Sequence, residues 1–133
     1  MKVYITASFK GSENKDEIEH VCSIVKKAGF EDFCFIRDVE DYQKVFNDAH
    51  ELMHRGKEEI EKCDVLLIEY DGPGHGRMVE LGIAYALNKK IILITKEGTF
   101  VKETILGVTD SVIEYKKLED IVEPMSLLFA KWR

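Results

Sequence analysis

Apolar residues follow two alternating patterns along this chain: short, nearly continuous runs, and stripes that recur every three or four positions. The runs read as strands over Lys2 to Ser8, Asp32 to Val39, Val65 to Tyr70, Lys90 to Thr95 and Ser111 to Tyr115. The stripes read as helices. Ile18, Val21, Cys22, Val25 and Ala28 mark one over Asn14 to Ala28, which Gly29 stops. Val45, Ala49, Leu52, Met53, Ile60 and Cys63 mark a long one over Asp41 to Lys62. Met78 to Leu87 carries Leu81, Ala84 and Tyr85 on one face, Thr99 to Leu106 is short, and Leu118 to Trp132 is the last. VLLIEY and KIILIT are apolar almost throughout, as strands covered on both faces are.

Strands alternating with helices predict a single α/β domain over residues 1–133, with a doubly wound, flavodoxin-like or Rossmann-like parallel sheet. Five strands in the order 2-1-3-4-5 are the expected arrangement, and ligands in such sheets sit beyond the carboxyl ends of the strands. Three loops are expected at that edge: Ser8 to Ser12, Asp71 to Arg77, and the turn before Ser111.

Composition adds exclusions. The 133 residues are 45% hydrophobic and 33% charged, an ordinary balance for one domain, and no apolar run reaches the length of a membrane span. The N-terminus enters a strand pattern at once, without a signal peptide's apolar segment, so a cytoplasmic protein is expected. Cys22, Cys34 and Cys63 form no CxxC pair and are expected to be reduced, buried thiols. The net charge of -6 and the absence of a basic block argue against a nucleic acid polymer, though not against one small anion in a local pocket.

Two loops could carry chemistry. Ser8-Phe9-Lys10-Gly11-Ser12 offers hydroxyls, a glycine and a cation at the end of the first strand; it reads either as a phosphate loop or as an ordinary polar connection. Asp71-Gly72-Pro73-Gly74-His75-Gly76 leads into Arg77-Met78-Val79-Glu80-Leu81-Gly82, which places Glu80 in the first turn of the helix expected from Met78. A first-turn acid complements the helix dipole. Here the glycines before it also let a ligand approach the backbone, so Glu80 is the candidate reactive carboxylate. Gly56 falls on the buried helix face, for close packing or to leave room for a ligand. His50 and His54 lack a third ligand in any metal pattern, and His75 is expected to be exposed.

Three segments together are similar to the nucleoside 2-deoxyribosyltransferase superfamily, in its 2'-deoxynucleoside 5'-phosphate N-hydrolase-like branch. They are VYITASFKG at 3–11, the run from Ile60 through CDVLLIEYDGPGHGRMVELGIAYALNKKIILI, and GVTDSVIEY at 107–115. The resemblance implies cleavage of the N-glycosidic bond of a (deoxy)nucleoside 5'-monophosphate, or deoxyribosyl transfer between bases. Glu80 would attack or stabilise C1' of the sugar and Tyr4 would orient it. Ser8, Phe9, Lys10 and Gly11 would bind the 5'-phosphate, with Asp71, Gly74, Gly76 and Arg77 completing the substrate site. Ser111 matches a position that reaches a neighbour's site in family dimers, so a homodimer is implied. No metal or organic cofactor is implied. Two positions depart from the family pattern: Gly56 stands where an Asp is usual, and Gly74 where Asp or Ser is usual. The alternative is a non-catalytic nucleotide-binding module of the same fold. A signalling receiver is disfavoured, because the acidic cluster of such domains is absent after the first strand.

Overall fold

The computed structural model describes residues 1–133 apart from the side chain of Ser12. Its five parallel strands are β1 (Lys2–Thr6), β2 (Glu31–Cys34), β3 (Val65–Glu69), β4 (Lys90–Lys96) and β5 (Ser111–Tyr115), in the order β2-β1-β3-β4-β5. The helices are α1 (Lys15–Lys27), α2 (Phe35–Asp38), α3 (Ala49–Glu61), α4 (His75–Ala86), α5 (Glu103–Leu106) and α6 (Val122–Trp132). Single 3-10 turns precede α1 and α6. No helix is long and apolar enough to cross a membrane.

Side-chain alternation on the strands divides the core in two. Val3 and Ile5 of β1, with Val65 and Leu67 of β3, pack under α1 and α6. Tyr4, Leu66, Ile68, Ile91 and Leu93 face the other way, toward α3 and α4. Ile91 to Leu93 are 0% exposed, and full burial of each such side chain stabilises the fold by about 1.5–3 kcal/mol. All three cysteines are buried free thiols, as their scatter implied.

Four expectations are corrected. The second strand ends at Cys34, because Asp38 Oδ2 accepts the Cys34 N–H at 2.9 Å and turns the chain into α2. Arg37 braces this turn on Asp32 and Asp38, each at 2.8 Å. The long helix expected from Asp41 begins only at Ala49, where Asp48 Oδ1 accepts the His50 N–H at 2.9 Å as an N-cap. Before it, Asp41 and Tyr42 take positive φ values of 48° and 60°, and Val45 is exposed rather than part of a buried stripe. The helix after β3 starts at His75, not Met78, so Glu80 lies in its second turn. Finally, the turn before Ser111 lies at the amino edge of the sheet. There Asp110 N–H donates to Ile91 O at the start of β4, and Ser111 pairs with Ile92.

Candidate functional site

A cavity of about 410 Å3 opens at the carboxyl end of β1, on the face covered by α3 and α4. Its floor follows from strand alternation: Tyr4 and Thr6 are two residues apart on β1 and therefore project to the same side. Glu80 comes down onto them from α4. The Tyr4 hydroxyl donates to Glu80 Oε2, and Thr6 Oγ1 donates to Oε1 at 2.8 Å. Both oxygens of one carboxyl group are thus held by neutral donors.

Burial pushes the Glu80 carboxyl above its usual range; the hydrogen bonds from Tyr4 and Thr6 pull the other way, Glu40 adds to the rise, and Arg77 opposes it. The net direction is upward. The dipole argument from the sequence pointed downward, but its effect fades beyond the first turn and α4 begins five residues earlier than Glu80. Burial, then the adjacent Glu80 charge, drive the Tyr4 phenol far above its usual value, so Tyr4 remains a hydrogen-bond donor at neutral pH.

The walls are mixed. Phe35, Ile36, Leu52 and Met53 form an apolar side, with Phe9 at 40% exposure near the mouth. Gly56 lies on the buried face of α3 and opens space: a Cβ there would meet only the Tyr4 hydroxyl, at 3.9 Å. Ser8, Pro73, Gly74, His75 and Gly76 bring polar groups and the amino end of α4 to the opposite side. Glu40, from the irregular segment after α2, is half-buried in the same lining.

Of the residues singled out in the sequence, Tyr4, Ser8, Phe9, Gly74, Gly76, Arg77 and Glu80 share this lining. Arg77 is only 7% exposed and is engaged with its own loop, donating from Nη1 to Glu69 O at 2.6 Å and pairing with Asp71 at 2.8 Å. Gly74 makes this possible, since a Cβ there would lie 2.5 Å from Arg77 Nη2. Asp71 also pairs with Lys10 at 3.5 Å. Burial works against the Asp71 charge, but Arg77 and Lys10 hold its carboxyl below the usual range. Lys10 and Asp71 face a smaller polar cavity with Glu17, Glu69, Lys96 and Tyr115 rather than the main one. Gly11, at φ 68°, closes the first loop and lines neither cavity. Ser111 is at the opposite edge of the sheet. His50 and His54 are exposed on α3, and no metal-binding cluster exists among the described residues.

Thr6 and Glu40 were missed in the sequence. Thr6 could have been found from the two-residue period once Tyr4 was chosen. Glu40 carries no local signal, because the fold alone brings it to the cavity.

The family model of nucleoside 2-deoxyribosyltransferases matches residues 3–120. Among solved structures, the chain resembles the CMP N-glycosidase of Clostridium botulinum, at 21% identity and a TM-score of 0.70 over 96% of this chain and 99% of that one. It resembles a 2-deoxyribosyltransferase of Bacillus psychrosaccharolyticus at 19% identity and a TM-score of 0.70, over 92% and 90% of the two chains. A conserved protein of Enterococcus faecalis superposes with a TM-score of 0.81 at 13% identity, over 96% and 98%. At these identities the likeness establishes the fold. No curated protein matches the chain.

Proposed function

As the chain belongs to the nucleoside 2-deoxyribosyltransferase family, we propose that it cleaves the N-glycosidic bond of a (deoxy)nucleoside 5'-monophosphate, with Glu80 as the reacting carboxylate. Family membership supports chemistry at that bond, by a glycosidase or a deoxyribosyltransferase. The observation that carries the finer reading is the Glu80 carboxyl, fixed by Tyr4 and Thr6 at the floor of a cavity large enough for a small ligand.

Breaking the bond between C1' and the base develops positive charge on the sugar. A carboxylate beneath C1' stabilises that charge or captures the sugar covalently. Tyr4 and Thr6 hold the carboxyl group by both oxygens without neutralising it. The apolar wall of Phe35, Ile36, Leu52 and Met53 suits a planar base, with Phe9 at the mouth. Ser8 and the free N–H groups at the start of α4 suit a 5'-phosphate. Lys10, paired with Asp71, faces the smaller cavity and is not part of this lining. Hydrolysis is favoured over transfer because Ser8 and the amino end of α4 in the lining suit a monophosphate. The active form is a homodimer, in which a second copy would bring Ser111 to a neighbour's cavity; the exposed Val112 beside it is consistent with an interface.

Incubation with a panel of nucleosides and 5'-monophosphates, with free base detected by chromatography, tests the activity. Glu80→Gln should remove nearly all turnover and leave binding largely intact. The loss should be about 3–4 kcal/mol or more in the barrier, by analogy with a single oxyanion-hole donor. The second reading, a nucleotide-binding module, draws on Gly56, which lines the cavity and brings no acid to it. That reading holds instead if wild-type protein binds nucleotides but releases no base.

A further inference from the structure

A base leaving C1' carries away the electron pair of the broken bond and needs a proton to depart as a neutral molecule. Glu80, Tyr4 and Thr6 do not supply it: they are bonded to one another beneath the sugar position. Arg77 is locked into its loop by Glu69 and Asp71. His75 is exposed. One acid in the lining is left, and it stands on a different element from all of these.

We propose that Glu40 is the general acid that protonates the departing base, an assignment that rests on the N-glycosidase reading above. Glu40 N–H donates to Phe35 O at 3.1 Å, which fixes the residue at the exit of α2 beside Phe35 and Ile36 of the apolar wall. Its half-buried carboxyl has no ion pair or side-chain hydrogen bond among the described residues. It is near enough to Glu80 for its charge to be felt there. Burial raises its proton affinity, the direction a proton donor needs. In the first step a Glu80 oxygen bonds to C1' as the C1'–N bond breaks, the electron pair leaves on the base, and the Glu40 proton neutralises it. In the second step water bonds to C1', Glu80 departs as a carboxylate, and the proton of that water returns to Glu40.

The role predicts a dependence on the leaving group that a structural residue would not show. A purine methylated at N7 is already cationic, and leaves as a neutral base with no proton donor. The test measures base release from the natural 5'-monophosphate that wild type cleaves fastest and from N7-methyl-2'-deoxyguanosine 5'-monophosphate. Glu40→Gln should lose about 100- to 10,000-fold on the first. On the second it should stay within about tenfold of wild type. Glu40→Asp, which keeps the acid on a shorter arm, should recover part of the activity, and melting curves establish that both variants fold. Equal losses on both substrates, no loss on either, or the same contrast appearing in His75→Gln instead would overturn the assignment. Glu80→Gln should fail on both substrates. Base release by wild type from neither overturns the glycosidase reading and this assignment together, an outcome visible before any variant is made.

Discussion

The Tyr4 hydroxyl, on a side chain with no solvent exposure, donates to a carboxyl oxygen of Glu80, 76 residues away in the chain. One fully enclosed donor, with Thr6, therefore orients the candidate reactive group and offsets part of the rise in proton affinity that burial causes. Tyr4→Phe removes that donor and leaves the burial unchanged. The bond lowers the proton affinity of Glu80, so its loss raises it further and less of the carboxylate is ionised at a given pH. The acidic limb of the pH–rate profile should move to higher pH, and turnover at neutral pH should fall by roughly 10- to 100-fold, the scale of about 1.4–2.7 kcal/mol. A profile that coincides with wild type would separate Tyr4 from the chemistry.

Gly74 and Arg77 make a second pair that cannot be changed one at a time. Gly74→Ala places a methyl group against the guanidinium, whose position is held by Glu69 O and Asp71. Overpacking of this kind costs about 1–3 kcal/mol. Urea denaturation should register that loss. Combining it with Arg77→Ala should give less than the sum of the two single effects, because the clash is gone.

Glu69, at the end of β3, points to the face opposite Glu80 and has one carboxyl oxygen buried without a hydrogen-bond partner. Burial, then Glu17 and Asp71 nearby, push it up to about 7, with Arg77 opposing. The folded protein therefore holds this proton more tightly than the unfolded chain. The associated stability is complete below the ordinary carboxyl value, near 4.5, and is lost as pH rises to about 7. Relative to Glu69→Gln, the melting temperature of wild type should fall across that window and stay lower above it. Parallel curves for the two proteins would show that Glu69 does not titrate there.

Asp48 caps the helix that carries Leu52, Met53 and Gly56 to the cavity. Asp48→Ala should cost about 1 kcal/mol. Hydrogen exchange should locate the loss in the first turn of α3. Uniform exchange across the whole molecule would instead mean that α3 does not open separately.

The sheet was legible because its inner strands are apolar on both faces. VLLIE and KIILIT need no partner to be recognised, and the strand order follows from the handedness of the crossovers. The edge strand was harder. Cys34 and Phe35 look alike as β formers, but Asp38 captures a backbone N–H and ends the strand between them. The stripe through Val45 shows that period alone extends a helix across a segment whose backbone is not helical; the Asp48 cap was the contrary signal. The site divided in the same way. Glu80 and Tyr4 stood out in the sequence, whereas Lys10 and Asp71 were expected at the main cavity and face the smaller one, because they pair with each other and Asp71 with Arg77.

The wall that holds Phe35, Ile36 and Glu40 is built from α2 and the irregular chain after it, outside the strand ladder. The floor that holds Tyr4 and Thr6 is part of that ladder, with β2 on one side and β3 on the other. A lineage could therefore retailor what this protein accepts by editing a few residues after Cys34, at no expense to the sheet. The Tyr4 and Thr6 donors that hold Glu80, rooted in interior strand positions, would be inherited unaltered, while the Glu40 acid would change with the wall.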